Sequence, residues 1–276
     1  MAIKEIPDLI KVVKSFSDRT VATSFPGRRI HGRKFSRSSP GCRDTVDSVS
    51  YCSERGLYLV SGADAVERRC ALSNQLDKDY SDDFQRLRTF YGFKPVSDSL
   101  VKVCVWELEH LVGASIDAHL AFVKELAQGN RLSLGDQRVL DFEAYADGAK
   151  RSFYITRNKE EALSVPRTVY LFGTDLRIPI DSYRSHFVSV SVFQKMAGQN
   201  ARYIDSKKRD AGVFGFPEIK GIVSRNTRDE IKTMELRPGG LGGGGSFYIV
   251  DANVYFNDVG WACGVEASAP KNLHRK

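Results

Sequence analysis

Strict alternation of apolar and polar residues in the last third of the chain sets the strongest limit on its fold. In residues 246–256, Tyr248, Val250, Ala252, Val254 and Phe256 fall on one side of an extended backbone, and Asp251, Asn253 and Tyr255 on the other. In residues 186–194, Val188, Val190 and Val192 face one way and Ser189 and Ser191 the other. A period of two belongs to a strand with one buried face and one wet face. Such strands satisfy themselves most readily in an antiparallel sheet. Stretches 152–156, 168–172, 219–224, 232–236 and 260–266 are also rich in β-branched and aromatic residues and read as strands.

Before Lys150 the spacing is closer to helical. Residues 5–16 place Ile6, Leu9, Ile10, Val13 and Phe16 on one stripe, with Pro7 tolerated in the first turn. Segments near 45–59, 64–76, 81–90 and 99–128 carry the same period, and a further helix is expected over 135–146. The clearest is 99–128, with Leu100, Val103, Cys104, Glu107, Leu108, Leu111, Ile116, Leu120 and Val123 in near-helical spacing and a stop at Gly129-Asn130. The expected class is therefore α+β, a helical N-terminal half followed by a mostly antiparallel, β-rich C-terminal half. Three regions follow: an amphipathic helix and basic arm over 1–45, a helical acidic region over 46–150, and a β-rich basic region over 151–276. They can share one compact domain.

Composition excludes several classes. Hydrophobic residues make up 42% of the 276, with 16 Phe, 11 Tyr and 2 Trp, which is enough apolar surface to rule out disorder throughout. No apolar run reaches the ~18 residues of a membrane-spanning helix. Met1 to Phe16 alternates apolar and charged residues and lacks the apolar block of a secretory leader. The five cysteines, Cys42, Cys52, Cys70, Cys104 and Cys263, are odd in number and contain no Cys-x-x-Cys. That pattern predicts reduced thiols in a cytoplasmic compartment and argues against a zinc ribbon.

The charge distribution points to a partner. Residues 1–45 hold 10 basic and 4 acidic groups, 46–150 hold 12 and 17, and 151–276 hold 19 and 13, so two basic regions flank an acidic one. Residues 19–43 have seven basic side chains and no acid, broken at Pro26-Gly27, Gly32 and Pro40-Gly41, and read as an exposed loop or arm. Aromatics interleave with the charges. Arg28, Arg29, Arg33, Lys34, Phe35 and Arg37 lie in the arm, and Arg202, Tyr203, Lys207, Lys208 and Arg209 in the C-terminal region. Lys and Arg neutralise phosphates and release counterions, while aromatic faces stack on unpaired bases. These residues are the candidate nucleic-acid contacts, and single-stranded RNA is the expected ligand. Basic and acidic regions on one chain also suit a homo-oligomer. By charge layout alone, this is how a nucleocapsid-like or movement-type viral protein would be built, with no enzymatic activity. A self-assembling structural protein without a nucleic-acid role fits the same layout.

Catalytic patterns are sparse. A metal-dependent nuclease needs carboxylates for Mg²⁺ and a Lys to stabilise charge. Asp205 or Asp210, then Glu218-Ile219-Lys220, offers that set, and Glu230-Ile231-Lys232 repeats the Glu-x-Lys. Outside this alternative no cofactor is expected. Glu107 and His110 make a single Glu-x-x-His, and His119 lies on the far side of the same expected helix. His186, at a strand start, has no evident partner for base catalysis. The run from Pro238 to Ser246 is glycine-rich, but no Lys follows it as in a phosphate loop. It reads as a connector between strands, or as a place where backbone approaches a ligand.

Overall fold

The computed structural model describes residues 28–30, 32–65, 68, 84–171, 177–179, 213–227, 232–241 and 248–267. Along them run β1 (Arg28–Ile30), β2 (Arg33–Ser38), α1 (Thr45–Ser53), β3 (Tyr58–Leu59), β4 (Gln85–Pro95) and β5 (Leu100–Glu107). Next come α2 (Leu108–Val112), α3 (Ile116–Gln128), β6 (Arg131–Ser133), α4 (Gln137–Gly148), β7 (Ser152–Thr156), α5 (Lys159–Ser164) and β8 (Thr168–Tyr170). The last are β9 (Arg177–Pro179), β10 (Val213–Gly215), α6 (Ile219–Thr227), β11 (Thr233–Leu241), β12 (Tyr248–Asp251) and β13 (Cys263–Val265). The expected helix at 5–16 and strand at 186–194 lie outside the described residues, as does most of the helix expected at 64–76.

Nine strands form one sheet in the order β8-β7-β5-β4-β11-β12-β10-β9, with β6 added beside β11. Pairing is antiparallel except for β7 with β8 and β10 with β12. A second sheet has the order β1-β2-β13-β3. Helices are scattered among these strands, which corrects the expected helical half followed by a β half. Pairing also ignores the three expected regions. β2 from the first pairs with β13 from the third, and β4 and β5 from the second pair with β11 and β7 from the third.

The largest departure from the expected pattern is at the centre of the sheet. Residues 81–90 and the start of 99–128 were expected to be helical, yet β4 and β5 are the sheet's middle strands. Both of their faces are covered, so neither shows alternation. Leu87, Tyr91, Phe93, Val101, Val103 and Val105 enter a core shared with α6 and the small sheet. Phe90, Cys104 and Trp106 enter a second core closed by α1, α3 and α4. A strand buried on both faces is apolar at nearly every position, and such a run satisfies a helical template as easily as an extended one. The residues 219–224, read as a strand, form the first turns of α6, whose Ile219, Ile222 and Val223 pack at i, i+3, i+4 spacing into the first core.

Helix limits follow local chemistry. Asp44 caps α1 by accepting from the Asp47 amide at 2.8 Å. The helix stops at Ser53, short of the expected 59, ahead of Gly56 at φ +63. Ser115 and Asp136 cap α3 and α4 in the same way. Buried His119, Phe122, Val123 and Leu126 give α3 its single inward stripe, and Gly129 ends it as expected. Among the described residues no helix is long and apolar enough to cross a membrane.

Part of the glycine-rich run belongs to the sheet. Gly240 pairs with Arg86 inside β11, and a Cβ there would overlap the Phe84 ring. The close approach at this position is therefore to the protein's own aromatic ring.

Candidate nucleic-acid interface

The described part of the arm, expected to be an exposed loop, forms a β-hairpin of β1 and β2. Arg28 pairs with Phe35, Arg29 with Lys34 and Ile30 with Arg33 across the β1–β2 turn. The other edge of β2 is taken by β13. Alternation along β2 then divides the candidate contacts. Phe35 turns inward, is 1% exposed, and joins the first core. It has no face to offer a base.

Arg33 shares that inward face. Its guanidinium donates to Asp64 Oδ1 at 2.5 Å and to the Glu266 carbonyl at 3.3 Å. Asp64 is the centre of a chain of buried ions. It also meets Arg88 at 3.1 Å and accepts from the Ser61 amide at 3.1 Å. Arg88 continues to Glu109 at 3.1 Å and donates to the Leu59 carbonyl. This chain ties β2 of the small sheet to β4 of the large one. Arg37 is half-buried. Arg33 is therefore spent on a carboxylate of its own chain, and the arm presents fewer charges than its sequence count.

Arg29 and Lys34 face outward. The Arg29 side chain is 68% exposed and donates to the Gly32 carbonyl. Glu266 is the carboxylate beside this pair, 3.9 Å from Arg29 and accepting from the Lys34 amide at 3.1 Å. Near α1, Arg43 from the arm meets Tyr51 and Arg55 from the region counted as acidic. Tyr51 is half-buried, with the guanidinium carbon of Arg43 4.6 Å and that of Arg55 3.7 Å from its ring centre. Arg55 and Tyr51 escaped the sequence reading because they lie just past the acid-free stretch.

The remaining candidates divide as follows. Arg202, Tyr203, Asp205, Lys207, Lys208, Arg209 and Asp210 lie outside the described residues. Glu218 and Lys220 are exposed at the start of α6. Two positions apart on a helix is about 200° of rotation, so they point to opposite sides, whereas the expected strand would have aligned them. Among the described residues no cluster of three His, Cys, Asp or Glu is placed to hold a metal.

Glu107 and His110 act as structure. The Glu107 amide donates to His110 Nδ1 at 3.1 Å at the start of α2. The Glu107 carboxylate is claimed by Arg151 at 3.1 Å and by the Thr89 hydroxyl at 2.7 Å. His119 bonds the Gly113 carbonyl at 2.7 Å through Nε2. Burial pushes the thiols of Cys52, Cys104 and Cys263 up, Cys104 to about 12, which keeps them protonated and poor nucleophiles.

A second ionic group underlies α4. Lys102 meets Glu143 and Asp147, both at 2.7 Å, and Lys94 meets Glu143 at 2.8 Å. Burial alone would raise Asp64, Glu143 and Asp147, but their cationic neighbours outweigh it and hold all three carboxyls below their usual values. Such groups add stability that is complete above their ordinary values of 3.8 and 4.5 and is lost as pH falls through the depressed ones. Glu107 is raised by burial and works the other way, gaining on acidification. With Asp136 and Glu161 also held low, five lowered carboxyls stand against one raised among the described residues, and the urea midpoint is expected to drop as pH is lowered below 4.5. A midpoint that is flat or rises there would show that these pairs add no net stability.

No protein-family model, curated protein or solved structure matches the chain.

Proposed function

We propose that the protein binds single-stranded nucleic acid, RNA foremost, through the outward face of the β1–β2 hairpin. The observation that carries this reading is the cross-strand Arg29–Lys34 pair. Like charges directly opposite one another weaken a strand pair. The Glu266 carboxylate stands 3.9 Å from Arg29 and takes only the backbone amide of Lys34, so it does little to offset the repulsion. A polyphosphate does gain, because each cation it meets releases a condensed counterion. A free two-stranded ribbon could enter a duplex major groove. Here β13 occupies the second edge of β2, so the hairpin sits in a wider sheet, which favours an unpaired strand as the ligand.

Fluorescence anisotropy of a labelled single-stranded RNA across a salt series tests this. Each phosphate contact contributes a slope of about −0.7 in log affinity against log salt. Arg29→Gln/Lys34→Gln is expected to make the slope shallower by about 1.4. Absence of binding at low salt, or an unchanged slope in the double variant, overturns the reading.

A further inference from the structure

We infer that Arg43, Tyr51 and Arg55 form a preorganised clamp for two successive phosphates of an unpaired strand. This deepens the function proposed above and rests on it. Four arginines of the interior end on carboxylates, Arg33 on Asp64, Arg88 on Asp64 and Glu109, Arg151 on Glu107, and Arg237 on Glu235, while buried Arg86 reaches the Thr45 hydroxyl and the Tyr255 carbonyl. Arg43 ends on an aromatic ring, and among the described residues it has no carboxylate partner. Arg55 shares that ring and has Glu54 at 3.6 Å, a side chain that is itself largely in water.

A ring holds a guanidinium in place without cancelling its charge. Two guanidinium carbons within 4.6 Å of one ring centre carry like charge, and that repulsion favours a placement on opposite faces of the tyrosine. The ring between them prevents both from grasping one phosphate. An extended phosphodiester chain passing over the ring edge offers a phosphate to each, and the outer plane of either guanidinium can stack on a splayed base.

All three residues are rooted in hydrogen-bonded backbone. Arg43 pairs both ways with Gly260, at 2.7 and 2.9 Å. Tyr51 lies in the last turns of α1. The Arg55 amide donates to the Cys52 carbonyl at 3.0 Å, and its guanidinium to the Tyr51 carbonyl at 2.7 Å. Groups fixed before the ligand arrives lose less freedom on binding.

The test uses the full chain and the same labelled RNA, with folding of each variant checked by circular dichroism. Arg43→Gln/Arg55→Gln is expected to make the salt slope shallower by about 1.4. Tyr51→Leu keeps both charges but frees them, so affinity is expected to fall roughly tenfold with little change in slope. Arg138→Gln, a control at an exposed arginine paired with Asp136 and Glu125, is expected to bind as the parent does. Inorganic phosphate should compete poorly and an unlabelled strand well. Parent-like binding by both clamp variants, with the slope still shallower in Arg29→Gln/Lys34→Gln, overturns the clamp and leaves the function standing. Absence of RNA binding by the parent protein overturns both.

Discussion

Asp64→Ala is expected to destabilise the protein by about 3 kcal/mol, the lower end of the cost of breaking a buried ion pair. The magnitude follows from what each abandoned partner retains. Arg33 loses the carboxylate that holds it at 2.5 Å, but its side chain is 24% exposed and water can reach it. Arg88 is buried, yet it keeps Glu109 and the Leu59 carbonyl. The Ser61 amide loses its acceptor as well. Urea unfolding measures the loss, and a change under about 0.5 kcal/mol, the range of ordinary surface substitutions, would mean that the network does not hold the two sheets together. Arg33→Met/Asp64→Leu/Arg88→Met removes the three inner charges, leaves Glu109, 32% exposed, to water, and is expected to recover much of the lost stability. Apolar packing in place of a complete ion network is often neutral or better. The triple variant separates the cost of orphaned charge from the worth of the network.

That ion chain also shows where the sequence was legible and where it was not. The acid-free stretch was visible in the sequence. Which of its cations would meet a carboxylate depended on the register of β2. That register places Phe35 inward and carries Arg33 with it, leaving Arg29 and Lys34 outside. The helices α1, α3 and α4 were legible because their stripes face one core; only the stop at Gly129 was read as an end signal, and the expected helix over 99–128 ran through Ser115, which in fact caps the start of α3. The strands β7, β8 and β13 were found because extended runs there are short and bounded. β4 and β5 were lost for the opposite reason. Burial on both faces erased the alternation that identifies a strand, and the charged Arg88, Lys102 and Glu107 within them look like a solvated helix face until their partners are known. Those partners, Asp64, Glu143, Asp147 and Arg151, are distant in sequence. Tyr51 and Arg55 were missed because a local charge count divides the chain at a boundary that the fold does not respect.

The second large effect lies in the other core. Trp106 is fully buried, donates through Nε1 to the Phe142 carbonyl at 2.9 Å, and lies against the face of β4. Trp106→Ala is expected to cost about 3–5 kcal/mol, the range for truncating a large buried aromatic. Gly92 lies directly against the indole. A Cβ on that residue would sit 2.5 Å from Cη2 and Cζ3 of the indole and 2.9 Å from the Met234 sulfur. The indole occupies space that only a glycine on β4 leaves open. Gly92→Ala alone is therefore expected to cost about 1–3 kcal/mol through overpacking. In the Trp106→Ala background the same methyl enters the vacated volume, so its cost should vanish or reverse. The double variant is then expected to be no less stable than Trp106→Ala alone, a coupling that exceeds the ~0.5 kcal/mol scatter of independent sites. Additive losses in a urea double-mutant cycle would show that the strand moves away from the indole, and that close packing of Trp106 on Gly92 is not what fixes the β4–β5 register.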